Sequence, residues 1–119
     1  MTPVSVLHEQ ANGVHVVAFV LNDERQADPD TVRQFFAEEF LPSTAESTQV
    51  LIDLTGVRTI DSASLGPLVQ KLRDARNKGG DVALCGVKAA AVREVLSLTR
   101  FDQIFPMFDT RDQALTTFS

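Results

Sequence analysis

The sequence predicts an α/β fold in a single domain over residues 1–119, with a mixed β-sheet of four to five strands and about four helices. Two observations carry this. The chain opens with two valine-rich segments joined by a tight turn, and from residue 50 onward short apolar runs alternate with segments of helical period. A third sets the polarity of the sheet: each later link between strands is helical, as parallel neighbours require.

The elements follow in order. Val4 to Glu9 and Val14 to Val20 are joined by Gln10-Ala11-Asn12-Gly13, whose Asn-Gly pair takes positive φ at little cost, so the two segments pair as an antiparallel hairpin. After the polar stretch Asn22 to Asp28, Pro29 suits the first position of a helix and leaves Asp28 as its N-cap. Val32, Phe35, Phe36 and Phe40 share one face of that helix, Pro42 ends it, and Ser43 to Gln49 is a polar loop. Val50 to Leu54 is a nearly unbroken apolar run, the pattern of a central strand buried on both faces. Leu65, Leu68, Val69 and Leu72 then stand at i, i+3, i+4 and i+7 of a second helix, which closes at Asn77-Lys78-Gly79-Gly80 where glycine takes a left-handed cap. Val82 to Cys85 is the next strand, and Val92, Val95 and Leu96 mark a third helix. Phe105 to Phe108 is a short strand, and Thr110 with Gln113 forms a capping box ahead of a last helix carrying Ala114, Leu115 and Phe118.

Composition narrows the function classes. With 119 residues, 44% of them hydrophobic and 23% charged, the chain can bury a core without staples. A net charge of -5 argues against direct nucleic-acid binding, because a surface that displaces counterions from phosphates needs clustered Lys and Arg. Apolar runs such as Val14 to Leu21 are too short to cross a bilayer, and no charged-then-apolar leader opens the chain. The expectation is a cytoplasmic protein without membrane insertion. One cysteine and two histidines exclude an internal disulfide and a zinc framework, and no cofactor or metal is expected. Cys85, inside Val82-Ala83-Leu84-Cys85, fits a small buried hydrophobe better than a reactive thiol.

The informative stretch lies between the central strand and the second helix, Asp53-Leu54-Thr55-Gly56-Val57-Arg58-Thr59-Ile60-Asp61-Ser62-Ala63-Ser64-Leu65-Gly66. At Ser62 the loop turns into a helix, so its hydroxyl stands beside backbone N–H groups that lack intrahelical partners, at the positive end of the helix dipole. A phosphate on Ser62 is favoured by both effects and adds roughly -1.5 to -2 charges, enough to expel an acidic partner. The plainer reading of the same residues is that Asp61 and Ser62 cap the helix.

From about Val4 onward the chain resembles a STAS domain, the family of anti-sigma factor antagonists, stressosome proteins and the cytoplasmic tails of sulfate transporters. The residues that carry the resemblance are Asp53-Leu54 closing the central strand, Asp61-Ser62-Ala63-Ser64-Leu65-Gly66 opening the helix, and the glycine turn before Val82 to Cys85. Val92-Arg93-Glu94-Val95-Leu96-Ser97-Leu98-Thr99 and Phe101-Asp102-Gln103-Ile104-Phe105 resemble the family's last crossover. The resemblance implies a non-enzymatic binding module. In antagonists of the family a partner that is both anti-sigma factor and serine kinase phosphorylates the serine after the aspartate, here Ser62. The unphosphorylated form binds that partner, the phosphorylated form releases it, and a serine phosphatase resets the cycle. The implied partner surface is Asp28, Asp61, Ser62, Ala63, Ser64, Leu65 and Gly66. Where the common antagonist pattern reads Asp-Ser-Ser-Gly-Leu-Gly, this chain has Ala63 and Ser64, which makes Ser64 an alternative acceptor. Ala27 stands where a leucine usually precedes the aspartate matched by Asp28.

Other readings meet specific obstacles. A response-regulator receiver places its phosphoacceptor where Asp53 ends a strand, but it also needs an acidic pair after its first strand, where this chain has His8-Glu9-Gln10. A serine hydrolase needs a Gly-x-Ser-x-Gly turn and a histidine base, whereas His8 and His15 lie in the opening hairpin. The Gly79-Gly80 pair lacks the spacing of a phosphate-binding loop. Within the family, the alternative is a phosphorylation-independent adaptor or scaffold, a transport-complex subunit or stressosome-like protein. It would use Ser62 and Ser64 only as caps and recognise partners through Arg73, Arg76 and Lys78.

Overall fold

The structure, a computed structural model, describes residues 5–118, so Val4, the expected start of the first strand, lies outside the described residues. Five strands form one sheet in the order β1-β2-β3-β4-β5: β1 Val6–Ala11, β2 Val14–Phe19, β3 Gln49–Asp53, β4 Asp81–Cys85 and β5 Met107–Phe108. β1 pairs antiparallel with β2, and every later pair is parallel. The mixed α/β sheet expected from the sequence is therefore present. Asn12 and Gly13, at φ 54° and 78°, form the expected positive-φ turn of the hairpin.

Alternation along the strands sorts two cores. Val17, Phe19, Val50, Ile52, Val82 and Leu84 point to the face covered by most of the helices, where Phe35, Phe36 and Phe40 fill the space beside them. Val14, Val16, Leu51, Ala83 and Cys85 point to the opposite face, which Ala114, Leu115 and Phe118 cover. Cys85 is fully buried there. Burial first, and then the Asp53 carboxylate beside it, push its thiol up to about 12, so it stays protonated as a core side chain.

The first helix departs from the straight helix expected over Pro29 to Phe40. α1 spans Pro29–Gln34, a π-turn follows at Phe35–Glu39, and α2 runs Phe40–Ser43, one residue past Pro42. The N–H of Phe40 donates to Phe35 O, the wider π spacing. Across this turn the adjacent Phe35 and Phe36 both face the core, each 1% exposed, with Phe40 fully buried behind them. Asp28 caps α1 as expected, accepting from Thr31 N at 2.9 Å, with Pro29 first in the helix.

α3 Leu65–Asn77 follows a single 3-10 turn at Ser62–Ser64, and Gly79, at φ 83°, supplies the left-handed exit. α4 spans Ala90–Leu98 and α6 Arg111–Phe118, with Thr110 Oγ1 accepting from Gln113 N at 3.2 Å. Between them the last crossover differs from expectation. Phe101–Ile104 forms a short helix, α5, and the strand expected from Phe105 begins only at Met107. Phe101 and Phe105, one helical turn apart, set their rings 5.6 Å from each other, and Phe105 is 2% exposed, so its side chain plugs the main core instead of extending the sheet.

Candidate functional site

The loop from β3 to α3 is held down by its apolar residues. Leu54, Val57 and Ile60 are buried, while Arg58, Thr59, Asp61, Ser62 and Ala63 stay exposed. Ala27 N donates to Gly56 O at 2.8 Å, which ties this loop to the segment before α1. Two anchors therefore fix where the chain re-emerges at Asp61.

Asp61 is the cap of the turn. Its backbone is extended, and its Oδ1 accepts from Ser64 N at 3.1 Å and from Ser64 Oγ at 3.3 Å. Ser62, next in the chain, is exposed, and only its carbonyl is engaged, by the N–H of Leu65. Its hydroxyl has no partner among the described residues. Two residues on, Ser64 is 3% exposed with its hydroxyl spent on Asp61. The two serines thus differ sharply: the Ser62 hydroxyl is exposed, whereas exposing that of Ser64 means undoing the cap.

The remaining sequence-predicted residues separate in the same way. Ala63 and Gly66 are exposed, and a Cβ built on Gly66 meets open space, so nothing inside the chain requires that glycine. Leu65 is 3% exposed and packs in the core, supporting the surface rather than forming it. Asp28 is exposed at the head of α1, and a small groove brings the start of that helix against the Asp61 turn: Pro29, Val32 and Arg33 face Thr59, Asp61 and Ser64. Arg33, which sequence reasoning did not single out, pairs there with Asp30. Arg58 is exposed and has no ion pair among the described residues. An arginine one turn into a helix whose first residue flanks the site was the available signal for Arg33.

Two rival sites are already occupied. Asp53 accepts from Thr55 N at 3.0 Å, Thr55 Oγ1 at 2.6 Å and Arg111 Nη2 at 3.1 Å, leaving its carboxylate a structural anchor and not a receiver aspartate. Arg73 and Arg76 on α3 and Lys78 just past its end are exposed, but Arg76 donates to Asp81 at 3.1 Å and to Ile104 O at 2.9 Å. That arginine staples the helix to the last crossover. Among the described residues no cluster of three or more His, Cys, Asp or Glu could hold a metal, and no helix is long and apolar enough to cross a membrane.

Residues 30–114 match the family model of the STAS domain, a stretch that runs from the head of α1, through the Asp61 turn, into α6. The chain belongs to the STAS domain family. A protein of Thermotoga neapolitana named as an anti-sigma factor antagonist homologue is 39% identical over 67 residues, which cover 56% of this STAS chain and 58% of the relative. The matched stretch is thus little more than half of either protein. Among solved structures, an anti-sigma-factor antagonist STAS domain protein of Planctomyces limnophilus superposes with a TM-score of 0.75 at 24% identity, covering 97% of this chain and 98% of that one. A Thermotoga maritima protein assigned as an anti-sigma factor antagonist gives a TM-score of 0.66 at 28% identity, covering 95% and 93%. The STAS fold is thereby matched along nearly the whole chain.

Proposed function

We propose that this STAS domain is a cytoplasmic anti-sigma factor antagonist switched by phosphorylation of Ser62. Unphosphorylated, the surface formed by Asp28, Asp61, Ser62, Ala63 and Gly66 binds an anti-sigma factor that is also a serine kinase, and so frees the sigma factor. Phosphorylated, it lets that partner go, and a serine phosphatase restores the binding form. The observation that carries this reading is the exposed, unpartnered hydroxyl of Ser62 between the cap Asp61 and the first turn of α3. Support comes also from the relatives named as antagonists.

The electrostatics give the switch its sign. A phosphate on Ser62 lies at the N-terminal end of α3, where backbone N–H groups and the helix dipole favour it, so the modified form is stable in itself. Its added charge stands next to the Asp61 carboxylate and makes a patch that already carries Asp28 and Asp61 more strongly anionic. A partner shaped for the unmodified patch then meets a phosphate it has no groups to pair and, where its own surface is acidic, like charge, a mismatch worth several kcal/mol at an interface. Ser64 is not the acceptor under this reading, because its hydroxyl is buried on Asp61.

Incubation with the cognate kinase and ATP is expected to place one phosphate on Ser62, located by mass spectrometry of the digested chain. Titration calorimetry should then find that Ser62→Asp binds the kinase partner at least ~10-fold more weakly, while Ser62→Ala keeps its affinity. Equal affinity of both variants and the parent chain would rule out the switch and leave an adaptor that uses the same surface.

A further inference from the structure

At the opposite end of β3 from Ser62, three side chains from three separate segments form an unbroken polar chain. His8 Nδ1 lies 2.8 Å from His15 Nε2, and His15 Nδ1 lies 2.8 Å from Ser47 Oγ. His8 belongs to the edge strand β1, His15 to β2 opposite Val50, and Ser47 to the loop between α2 and β3. His15 is 6% exposed, whereas His8 is exposed and leans on Phe35 of the π-turn with ring centroids 5.9 Å apart. The chain thus links the edge hairpin to the loop that starts the central strand.

Proton count decides whether it can close. A neutral imidazole has one N–H and one lone pair, and a serine hydroxyl both donates and accepts. With both rings neutral, or with one extra proton on the exposed ring, a consistent set exists: His8 Nδ1–H donates to His15 Nε2, and His15 Nδ1–H donates to Ser47 Oγ. With both rings protonated, N–H faces N–H across the same 2.8 Å contact, and two like charges stand with ring centroids 5.1 Å apart. The surroundings resist that second proton. Burial first, then the charge of His8, then that of Lys71 hold His15 below the ordinary histidine value. His8 from β1 and Lys71 from α3 both act in the same direction on it. Lys71 reaches under the same loop to Thr44 O at 2.6 Å, with Asp74 of α3 and Lys78 just past its end acting on it in turn.

We propose that His8, His15 and Ser47 form a pH-operated clasp on the edge hairpin, closed while at least one ring is neutral and open once both are protonated. Opening frees β1 from the α2–β3 loop while leaving the parallel strands paired. The sign follows from proton binding. Because the folded state lowers the proton affinity of His15, the opened chain takes up more protons as pH falls, so the clasp holds fully above about 6.5 and is lost as pH drops below that value toward the folded midpoint of His15.

Amide hydrogen exchange on the full chain between pH ~7.5 and ~5, expressed as protection factors, tests this. The protection of β1 is expected to fall about tenfold or more over that range while that of β4 holds, in step with protonation of His15 seen in its ring nitrogen shifts. In His8→Gln, an exposed site, the amide oxygen accepts from a protonated His15, so this fall should disappear. The clasp is refuted if β1 protection is unchanged as His15 protonates, if β4 opens equally, or if His8→Gln shows the parent's response.

Discussion

The two ends of β3 treat a serine hydroxyl in opposite ways. Past Asp53, at the end of the sheet where the parallel strands finish, Ser62 stands exposed on a 3-10 turn with its hydroxyl unclaimed among the described residues. Ahead of Gln49, Ser47 is half-buried and its hydroxyl completes a chain through His15 to His8. The same chemical group is left without a partner among the described residues in one setting and is a strut in the other. What separates them is whether neighbouring elements have already used its hydrogen-bonding capacity.

Substitutions at the two ends sharpen that contrast. The largest effect is expected from His15→Ala, which empties a buried site and strips partners from both His8 and Ser47; chemical denaturation should show a loss of about 2–3 kcal/mol. Next comes Asp61→Ala, which removes the cap of the turn but exposes no core, for about 1 kcal/mol by the same measurement. The smallest is Ser62→Ala, expected within about 0.5 kcal/mol of the parent chain because no contact is lost. If Ser62→Ala proved as costly as Asp61→Ala, the hydroxyl would be a structural cap and the contrast between the two ends would fail.

Part of the site was legible before any coordinates. Asp28 and Asp61 are caps, as side-chain chemistry next to a helical run suggests, and the turn at Ser62 falls where the loop gives way to α3. Ser62 was preferred for its place after Asp61, with Ser64 as the alternative, but only the packing of Ile60 and Leu65 shows that Ser62 is exposed while Ser64 is 3% exposed. Nor was the π-turn visible, because Phe35, Phe36 and Phe40 fit the face of a regular helix on paper. A four-residue helix such as α5 is too short for a periodic pattern to separate it from the strand that follows.

The sequence by itself determined the order and type of most elements, the antiparallel hairpin, the parallel remainder of the sheet and the caps, because these rest on dihedral preferences and on spacings of a few residues. Tertiary structure alone decided which serine is reachable, that Arg76 is a staple, and that His8 and His15, which look isolated along the chain, share a hydrogen-bonded chain ending at Ser47. His15 and Ser47 are 32 residues apart and meet only because β2 lies beside β3 with His15 opposite Val50. Contacts of that kind are set by strand register, which arises from how the whole core closes and leaves no local mark in the chain.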